Sequence, residues 1–279
     1  MAGHNKWSKI KRKKAANDVA RARDHTRAAR AIESASLACF GDLSDMHLQS
    51  TISAARAVQL PKERIDKAIE RGANPDKKSE GMEYVTRLYH GMIPTGSSGK
   101  VAVIVETLTE NRNRTAANVR HLVTKTGGEL LPTGSNDWLF QHTGLIWISK
   151  YMRSDNGDTE SSSVELDEDT LLDCALENNA IDVEFMSDTT TEDNADIDHN
   201  NNYAMIKCEP NEMLQIVQAL KDDGYITTQF EKQWLVKDED NRVLLDTESA
   251  EKFNKFLNTM DADLDVTDVF HNAMFADDT

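Results

Sequence analysis

The sequence predicts an α+β protein in which an N-terminal three-helix domain precedes two ferredoxin-like α/β domains, one inserted in the other. Apolar residues recur at helical spacing through much of the first 72 residues. Strand-like and helix-like segments then alternate in two successive groups. Between these regions, residues 73–81 (ANPDKKSEG) are polar and contain Pro and Gly, which is typical of a domain boundary. The predicted domains are therefore 1–80, 81–136 with 240–279, and an inserted acidic domain over 137–239.

The first helix is expected from about Ala15 to Phe40, because Gly41 is a suitable residue just past a helix end. Ile32, Leu37 and Phe40 would supply its buried side. Residues 1–14 lack apolar periodicity. We therefore expect them to form an arm that is mobile without its partner.

Two shorter helices are expected to follow. Ser44 would cap the second helix, whose apolar residues are spaced i, i+4 and i+7: Leu48, Ile52 and Ala55. Pro61 suits the first turn of the third helix, and Gly72 suits the position just after its end. Short connections between three amphipathic helices predict a small helical unit.

The next domain is expected to begin with two strands, residues 83–90 and 100–108, joined by a turn over 91–99. A helix follows up to Gly127, and Asn113 is expected to cap it. A further helix over 248–259 and a closing strand are expected to complete this domain. The interruption between them predicts that residues 137–239 are an insertion.

The inserted domain shows the order β-α-β-β-α-β, which is the ferredoxin-like pattern. Two polar, acidic stretches interrupt it, RSDNGDTESSS from residue 153 and SDTTTEDNADIDHNNN from residue 187. They contain too few apolar residues to pack into a core. We therefore expect both to be disordered loops.

Charge is divided unequally along the chain. The net charge of −16 is the sum of +7 in residues 1–80, +2 in residues 81–150 and −25 in residues 151–279. A cationic head joined to an anionic body indicates a polyanionic partner for the head. No apolar run approaches the 18 residues that a membrane span needs, which argues against a membrane protein.

The N-terminal basic run is the strongest functional signal. Six cations fall within nine positions, and each can neutralise a phosphate. Trp7 lies inside the run, where it could either dock on the first helices or stack on a base. Solvated charge or a targeting signal are the alternative interpretations of such a run. The candidate nucleic-acid-binding residues are His4, Lys6, Trp7, Lys9, Lys11, Arg12, Lys13, Lys14, Arg21, Arg23 and Arg27.

A second candidate surface is expected where a buried strand ends and a helix begins, at Asn111, Arg112, Asn113 and Arg114. Free backbone N–H groups at a helix start favour anions, and guanidinium groups suit phosphate or carboxylate. The alternative is that an Asn caps the helix while both arginines are solvated or paired with Glu106 and Glu110.

Nothing in the sequence predicts an active site, a metal centre or a cofactor. There is no GxSxG, no GxxxxGK[ST] and no GxGxxG motif. The GSSGK segment from residue 96 is better explained as a hairpin turn. Cys39, Cys174 and Cys208 are far apart, which favours three buried apolar side chains over a disulfide or metal site. We therefore expect a protein that is not an enzyme.

Several segments resemble the YebC/PmpR family, which includes a mitochondrial translational activator of cytochrome c oxidase. They are AGHNKWSKIKRKKAAND from residue 2, LPKERIDKAIERG from 60, KVAVIVETLTENRNRT from 100, DWLFQHTGLI from 137 and VTDVFHN from 266. The resemblance covers nearly the whole chain. Departures are a longer loop between the first two α/β strands and Glu110 in place of the family's usual Asp.

The resemblance implies a three-helix domain and two α/β domains, the third inserted in the second. It implies a ribosome-associated factor that aids elongation, in which His4, Trp7 and the basic run contact ribosomal RNA or tRNA. Arg112 and Arg114 would form a second contact surface or hold the domains together. The alternatives are a DNA-binding transcriptional regulator and an acidic protein-binding adaptor. Asn5 resembles mitochondrial members, so a mitochondrial monomer is expected, with the cytoplasm as alternative and no membrane partner.

Overall fold

The computed structural model describes residues 3–74, 84–152, 164–186 and 202–275, with backbone only at residues 3–19, 164–165 and 202. The helices are α1 (Gly3–Ala38), α2 (Met46–Ala57), α3 (Lys62–Ala73), α4 (Arg112–Lys125), α5 (Glu168–Glu177), α6 (Met213–Asp222) and α7 (Thr247–Asp261). The strands are β1 (Val85–Gly96), β2 (Gly99–Thr109), β3 (Glu129–Leu131), β4 (Phe140–Met152), β5 (Val164–Glu165), β6 (Asp182–Phe185), β7 (Asn202–Cys208), β8 (Tyr225–Val236), β9 (Val243–Leu244), β10 (Val266–His271) and β11 (Ala273–Met274).

The chain forms two compact units. Unit 1 combines Met1–Leu139 with Val236–Thr279, and unit 2 is Phe140–Leu235, which is therefore inserted in unit 1. The α+β class, with N-terminal helices followed by a four-stranded and a five-stranded sheet and a short parallel pair of β9 with β11, is confirmed. The further division of unit 1 into domains 1–80 and 81–136 with 240–279 stays a prediction, and the boundary expected at 73–81 lies mostly outside the described residues.

The three N-terminal helices enclose one apolar core. Ile32 of α1, Leu48 and Ala55 of α2, and Ile65 and Ala68 of α3 each have at most 5% of their surface exposed. The spacing that predicted α2 is therefore the spacing of its buried face.

The first helix is much longer than predicted. It begins at Gly3 and not near Ala15, so the expected start is wrong and the backbone of residues 3–14 is helical, whereas the mobility expected of this segment stays a prediction. Lys and Arg are good helix formers and no Pro interrupts the run, so helix propensity outweighed the missing apolar periodicity. Phe40 is also not buried: it lies past the helix end with φ of 53° and 81% of its surface exposed.

Two cap predictions in this region are wrong. Asp45, and not Ser44, caps α2, because its Oδ1 accepts from the backbone N of Leu48 at 2.8 Å. Gly72 is a buried residue inside α3 rather than the residue after it. A Cβ there would lie 2.5 Å from the carbonyl O of Glu33 and 2.6 Å from Cβ of Ser36. Glycine at this position therefore lets α3 approach α1 closely.

The sheet of unit 1 has four antiparallel strands in the order β10-β2-β1-β3. Helices α4 and α7 pack against one face, where Val103 and Val105 of β2 meet Val119 of α4 and Phe253 and Phe256 of α7. The connectivity is β-β-α-β-α-β, so the two central strands are joined directly by a hairpin. In this detail it differs from the ferredoxin-like order, although the layers are the same.

The expected long turn between the first two strands is wrong. Strand β1 continues to Gly96, and only Ser97 and Ser98 separate it from β2. Gly96 and Gly99 adopt φ of +92° and +94°, which glycine permits in a tight hairpin. Strand β1 is extended here because β2 pairs with it on one side and β3 on the other.

Unit 2 follows the predicted β-α-β-β-α-β order with one addition, the two-residue strand β5 between β4 and α5. Strand β4 is central, pairs with β7 on one side and also pairs with β8, while β6 extends the sheet beyond β7. Gly144 of β4 faces α6, where a Cβ would lie 2.8 Å from Sγ of Cys208 and 3.2 Å from Cβ of Met213. The polar stretches at 153–163 and 187–201, expected to be disordered loops, lie outside the described residues.

The cysteines are free thiols in three environments. Cys174 and Cys208 are buried as predicted, whereas Cys39 is only partly buried. Burial, together with the neighbouring carboxylate of Asp223, raises the pKa of Cys174 to about 12. Burial also raises the pKa of Cys208 to about 11, so both thiols are protonated at neutral pH. Within the described residues, no helix combines the length and apolar character needed to cross a membrane.

Candidate nucleic-acid interface

The predicted nucleic-acid-binding residues all belong to α1, in two groups. His4, Lys6, Trp7, Lys9, Lys11, Arg12, Lys13 and Lys14 lie in its first half, where the backbone is helical and the side chains lie outside the described part of the chain. Arg21, Arg23 and Arg27 lie in its second half, and their contacts are described. A helix rise of about 1.5 Å per residue places Lys6 about 22 Å along the axis from Arg21.

The arginines of the second half contact protein groups of unit 1. Arg21 donates to Oε1 of Gln59 at 2.9 Å. Arg23 donates to the carbonyl O of Asp261 at 3.1 Å. Arg27 donates to Oδ1 of Asp261 at 2.7 Å, to the Asp261 carbonyl O at 2.5 Å and to the Asp263 carbonyl O at 2.9 Å. Arg23 and Arg27 therefore lie on the segment from Asp261 to Asp265, which we call the acidic turn.

The acidic turn ends in a buried carboxylate, Asp265, whose side chain is only 6% exposed. Arg30 of α1 donates to its Oδ1 at 2.9 Å, and Arg114 of α4 donates to its Oδ2 at 2.8 Å and Oδ1 at 3.1 Å. The hydroxyl of Thr115 donates to Oδ2 at 2.7 Å. We call these four residues the Asp265 clamp. It links the first helix, the fourth helix and the start of β10.

The clamp determines the protonation of its central residue. Burial alone would raise the pKa of Asp265, but the hydrogen bonds from Arg114 and Thr115 and the charge of Arg114 outweigh it. The pKa of Asp265 is therefore lowered, and the carboxylate is ionised at neutral pH. The same hydrogen bond raises the pKa of Arg114. A buried carboxylate with two guanidinium partners is a stable electrostatic link.

The four residues of the second predicted surface are all exposed, and Arg114 also belongs to the Asp265 clamp. Asn111, and not Asn113, caps α4, because its Oδ1 accepts from the backbone N of Arg114 at 3.1 Å. Arg114 pairs with Asp265 and not with Glu106 or Glu110. Arg112 and Asn113 are exposed at the start of α4. The Arg114–Asp265 contact lies within unit 1, and the two roles that the family resemblance implied for Arg112 and Arg114 stay predictions.

Sequence reasoning missed the acidic turn. Asp261, Asp263 and Asp265 are separated by more than 230 residues from the α1 arginines that they contact. The segment DADLD lies in a chain rich in acidic residues, so composition does not distinguish it. The i, i+4, i+7 spacing of Arg23, Arg27 and Arg30 puts them on one face of α1 and is the local signal that could have indicated a common partner.

Comparison with known proteins matches almost all of the chain. Residues 5–75 match the TACO1/YebC protein N-terminal domain, and residues 82–273 match the TACO1/YebC second and third domain. The chain belongs to the TACO1/YebC family. The resemblance noted in the sequence is thus confirmed.

Relatives and a solved structure agree with this TACO1/YebC membership. A protein of Tolumonas auensis is 33% identical over 100% of this chain and 98% of its own length. A protein of Finegoldia magna is 36% identical over 98% of each chain. Both are named probable transcriptional regulatory protein. The crystal structure of a conserved hypothetical protein from Aquifex aeolicus has a TM-score of 0.64 and 28% identity, covering 91% of this chain and 90% of its own.

Proposed function

We propose that this TACO1/YebC protein is an RNA-binding translation factor that associates with the ribosome and aids elongation. The observation that carries the proposal is that the helix containing the basic run is anchored in unit 1 by its second half. Arg27 and Arg30 hold α1 on the acidic turn, and Asp265 links it to α4. The basic run is therefore part of an element with a fixed attachment to a folded body.

The distribution of charge supports RNA as the ligand. Residues 6–14 contain six cations, and residues 151–279 have a net charge of −25. A polyphosphate is attracted to the first segment and repelled by the second, which restricts how it can approach. Because Arg23, Arg27 and Arg30 already have acidic partners, we assign RNA contact chiefly to the basic run. Trp7 would add a base-stacking surface within it.

The proposed partners are ribosomal RNA or tRNA, and the proposal involves binding without a chemical step or cofactor. We propose that the protein acts as a monomer. We also propose the mitochondrion as its compartment, with the cytoplasm as the alternative, because Asn5 resembles mitochondrial family members. Fluorescence microscopy of the tagged full-length protein tests the compartment, and a signal confined to the cytosol contradicts the mitochondrial assignment.

The test of RNA binding is a variant in which four lysines of the basic run are replaced by Glu: Lys9, Lys11, Lys13 and Lys14. We expect RNA affinity to fall at least about 100-fold, since each lost phosphate contact also loses counterion release. Binding of the wild type should weaken with salt at a log–log slope of roughly −4 if six cations engage single-stranded RNA. Fluorescence anisotropy with labelled RNA and sucrose-gradient sedimentation with ribosomes measure these effects.

A matched control reverses four exposed lysines outside the basic run: Lys62, Lys67, Lys125 and Lys255. It produces the same change in net charge, so a specific role for the basic run requires this control to retain most of the binding. Equal loss in both variants would show that only total charge matters. Normal ribosome co-sedimentation by the first variant would contradict the proposal.

A DNA-binding transcriptional regulator is the second candidate, and the names of the relatives favour it. The same anisotropy assay with duplex DNA of random and genomic sequence separates the two. Tighter binding to a particular duplex than to RNA at equal salt, with chromatin enrichment in cells, would favour the DNA reading. Ribosome association that survives both RNase and loss of residues 2–14 would instead indicate the acidic adaptor.

A further inference from the structure

The α1 arginines that contact the acidic turn are held with different strength along the helix. Arg30 meets the buried carboxylate of Asp265. Arg27 makes three hydrogen bonds, but its carboxylate partner Asp261 is 58% exposed. Arg23 makes one hydrogen bond to a carbonyl, and its NH1 lies 3.7 Å from Oδ2 of Asp261. The contacts between these arginines and the acidic turn therefore become weaker along α1 towards the basic run.

The weaker contacts are also incomplete. Among the described residues, the buried Nε atoms of Arg23 and Arg27 have no hydrogen-bond partner. A buried donor without a partner is unfavourable, so these guanidinium groups are not fully satisfied by the acidic turn. A phosphodiester presents two anionic oxygens, as the Asp261 carboxylate does, so it could take the place of that carboxylate beside the two guanidinium groups.

Asp261 is itself in a locally unfavourable position. It is the last residue of α7, where the helix macrodipole disfavours a negative charge, and the last turn of α7 contains no basic residue. The positive charges of Arg23 and Arg27 offset this unfavourable interaction between the Asp261 carboxylate and the end of α7. The contact between Asp261 and α1 thus forms at the exposed end of an otherwise buried link, where exchange for another anion costs least.

From this geometry we infer that Arg23 and Arg27 form a phosphate-binding subsite for a phosphodiester backbone, and that Asp261 occupies this subsite until RNA displaces it. The inference rests on the proposed RNA-binding function and extends it from the basic run into the second half of α1. Guanidinium groups bind phosphate in the same forked geometry as carboxylate. Arg30 and Asp265 would keep α1 attached during the exchange.

The test is Asp261→Asn in the full-length protein, with Arg23→Gln alone and in combination. Removing the competing charge should tighten binding of labelled single-stranded RNA by about 3- to 10-fold. The salt slope should become steeper by about 0.7 for each phosphate gained. Arg23→Gln should change wild-type affinity less than about twofold, yet abolish most of the gain in the Asp261→Asn background, which is the coupling expected of a shared site.

The local control is Asp24→Asn, which removes the same charge from an exposed position beside Arg23 on α1. An equal gain from this variant would overturn the inference in favour of general electrostatics. Unchanged or weaker binding by Asp261→Asn, with its melting temperature near that of wild type, would also overturn it. If Asp261→Asn lowers the melting temperature, Asp261→Glu should keep wild-type affinity. Wild-type protein that ignores RNA at low salt would refute the proposed function and the inference together.

Discussion

At the scale of single residues, Asp265 contributes most to the arrangement that we propose to be functional. Its charge is compensated by three donors from α1 and α4, and it lies where the chain enters β10. Replacement by Asn keeps the shape and removes the charge. Since the arginines are partly exposed and can be rehydrated, we expect the free energy of unfolding of unit 1 to fall by about 2–3 kcal/mol. Urea denaturation measures this change.

The pH dependence of the same variant provides the check. Because the pKa of Asp265 is lowered on folding, its contribution is fully present above the pKa of an unfolded Asp, about 3.9, and is lost as pH falls through the folded value. The stability difference between wild type and Asp265→Asn should therefore be largest at pH 7 and shrink in strong acid. A difference that does not change with pH would contradict the ionised clamp. Glu248→Gln, which breaks the exposed pair with Lys252, should lower the free energy of unfolding far less than Asp265→Asn does.

Individual site residues were predictable only as far as local spacing reaches. The sequence indicated that an Asn would cap α4, and one of the alternatives left open paired the arginines with nearby carboxylates. Asn111 is the cap and not the expected Asn113, and the partner of Arg114 is Asp265 and not Glu106 or Glu110, which that alternative named. The true partner lies 151 residues away in the chain, so only the folded arrangement brings it to the start of α4. The contacts that the side chains of the basic run make stay predictions.

At the scale of elements, the crossing of α1 and α3 depends on the absence of one side chain. Gly72→Ala would ordinarily stabilise a helix by up to about 1 kcal/mol. Here the added Cβ would lie 2.5 Å from the carbonyl O of Glu33, and the helices would have to separate. We therefore expect a loss of about 1–3 kcal/mol, the usual effect of overpacking.

Thermal unfolding followed by circular dichroism tests the sign of this effect. Arg71→Ala, at the exposed neighbouring position, is the control and should change stability by less than about 0.5 kcal/mol. A higher melting temperature for Gly72→Ala would show that α1 and α3 are not in close contact at this point.

The existence and type of the main elements were predictable, whereas several boundaries were not. Apolar spacing correctly located the buried face of α2. It placed the start of α1 too late, because a helix without an apolar stripe leaves no such signal. The composition of residues 91–99 predicted a turn. Pairing of β1 with both β2 and β3 instead keeps most of that segment extended. Tertiary pairing overrides local preference there.

At the scale of the whole molecule, the chain enters and leaves unit 2 at adjacent points. The backbone N of Lys237 donates to the carbonyl O of Leu139 at 3.0 Å, and its Nζ donates to the carbonyl O of Asp137 at 2.7 Å. The core of unit 1 around Val103 and Phe253 contains residues of unit 1 alone. The nested arrangement was predictable because the last helix and strand follow a complete β-α-β-β-α-β pattern.

Replacing residues 140–235 by a short Gly-Ser linker should therefore leave unit 1 folded. The ends to be joined are close, so loop closure adds only a small entropic cost. Cooperative thermal unfolding and dispersed NMR signals of the shortened protein would agree with this expectation. Unit 2 expressed alone should also unfold cooperatively. A shortened chain that behaves as a molten globule would show that unit 1 needs the insert for its stability.

The attachment of α1 to the acidic turn through Arg27 and Arg30 has a mechanical consequence. Because α1 is long and rises about 1.5 Å per residue, its N-terminal end lies far from Arg27 and Arg30. A rotation of a few degrees about these residues would therefore displace the N-terminal end by several ångströms. Amino-acid substitutions around Asp265 would then alter the position of the basic run without changing its charged residues. Differences among relatives in the position of the basic run should accordingly be sought in the residues around Asp265 as well as in the basic run itself.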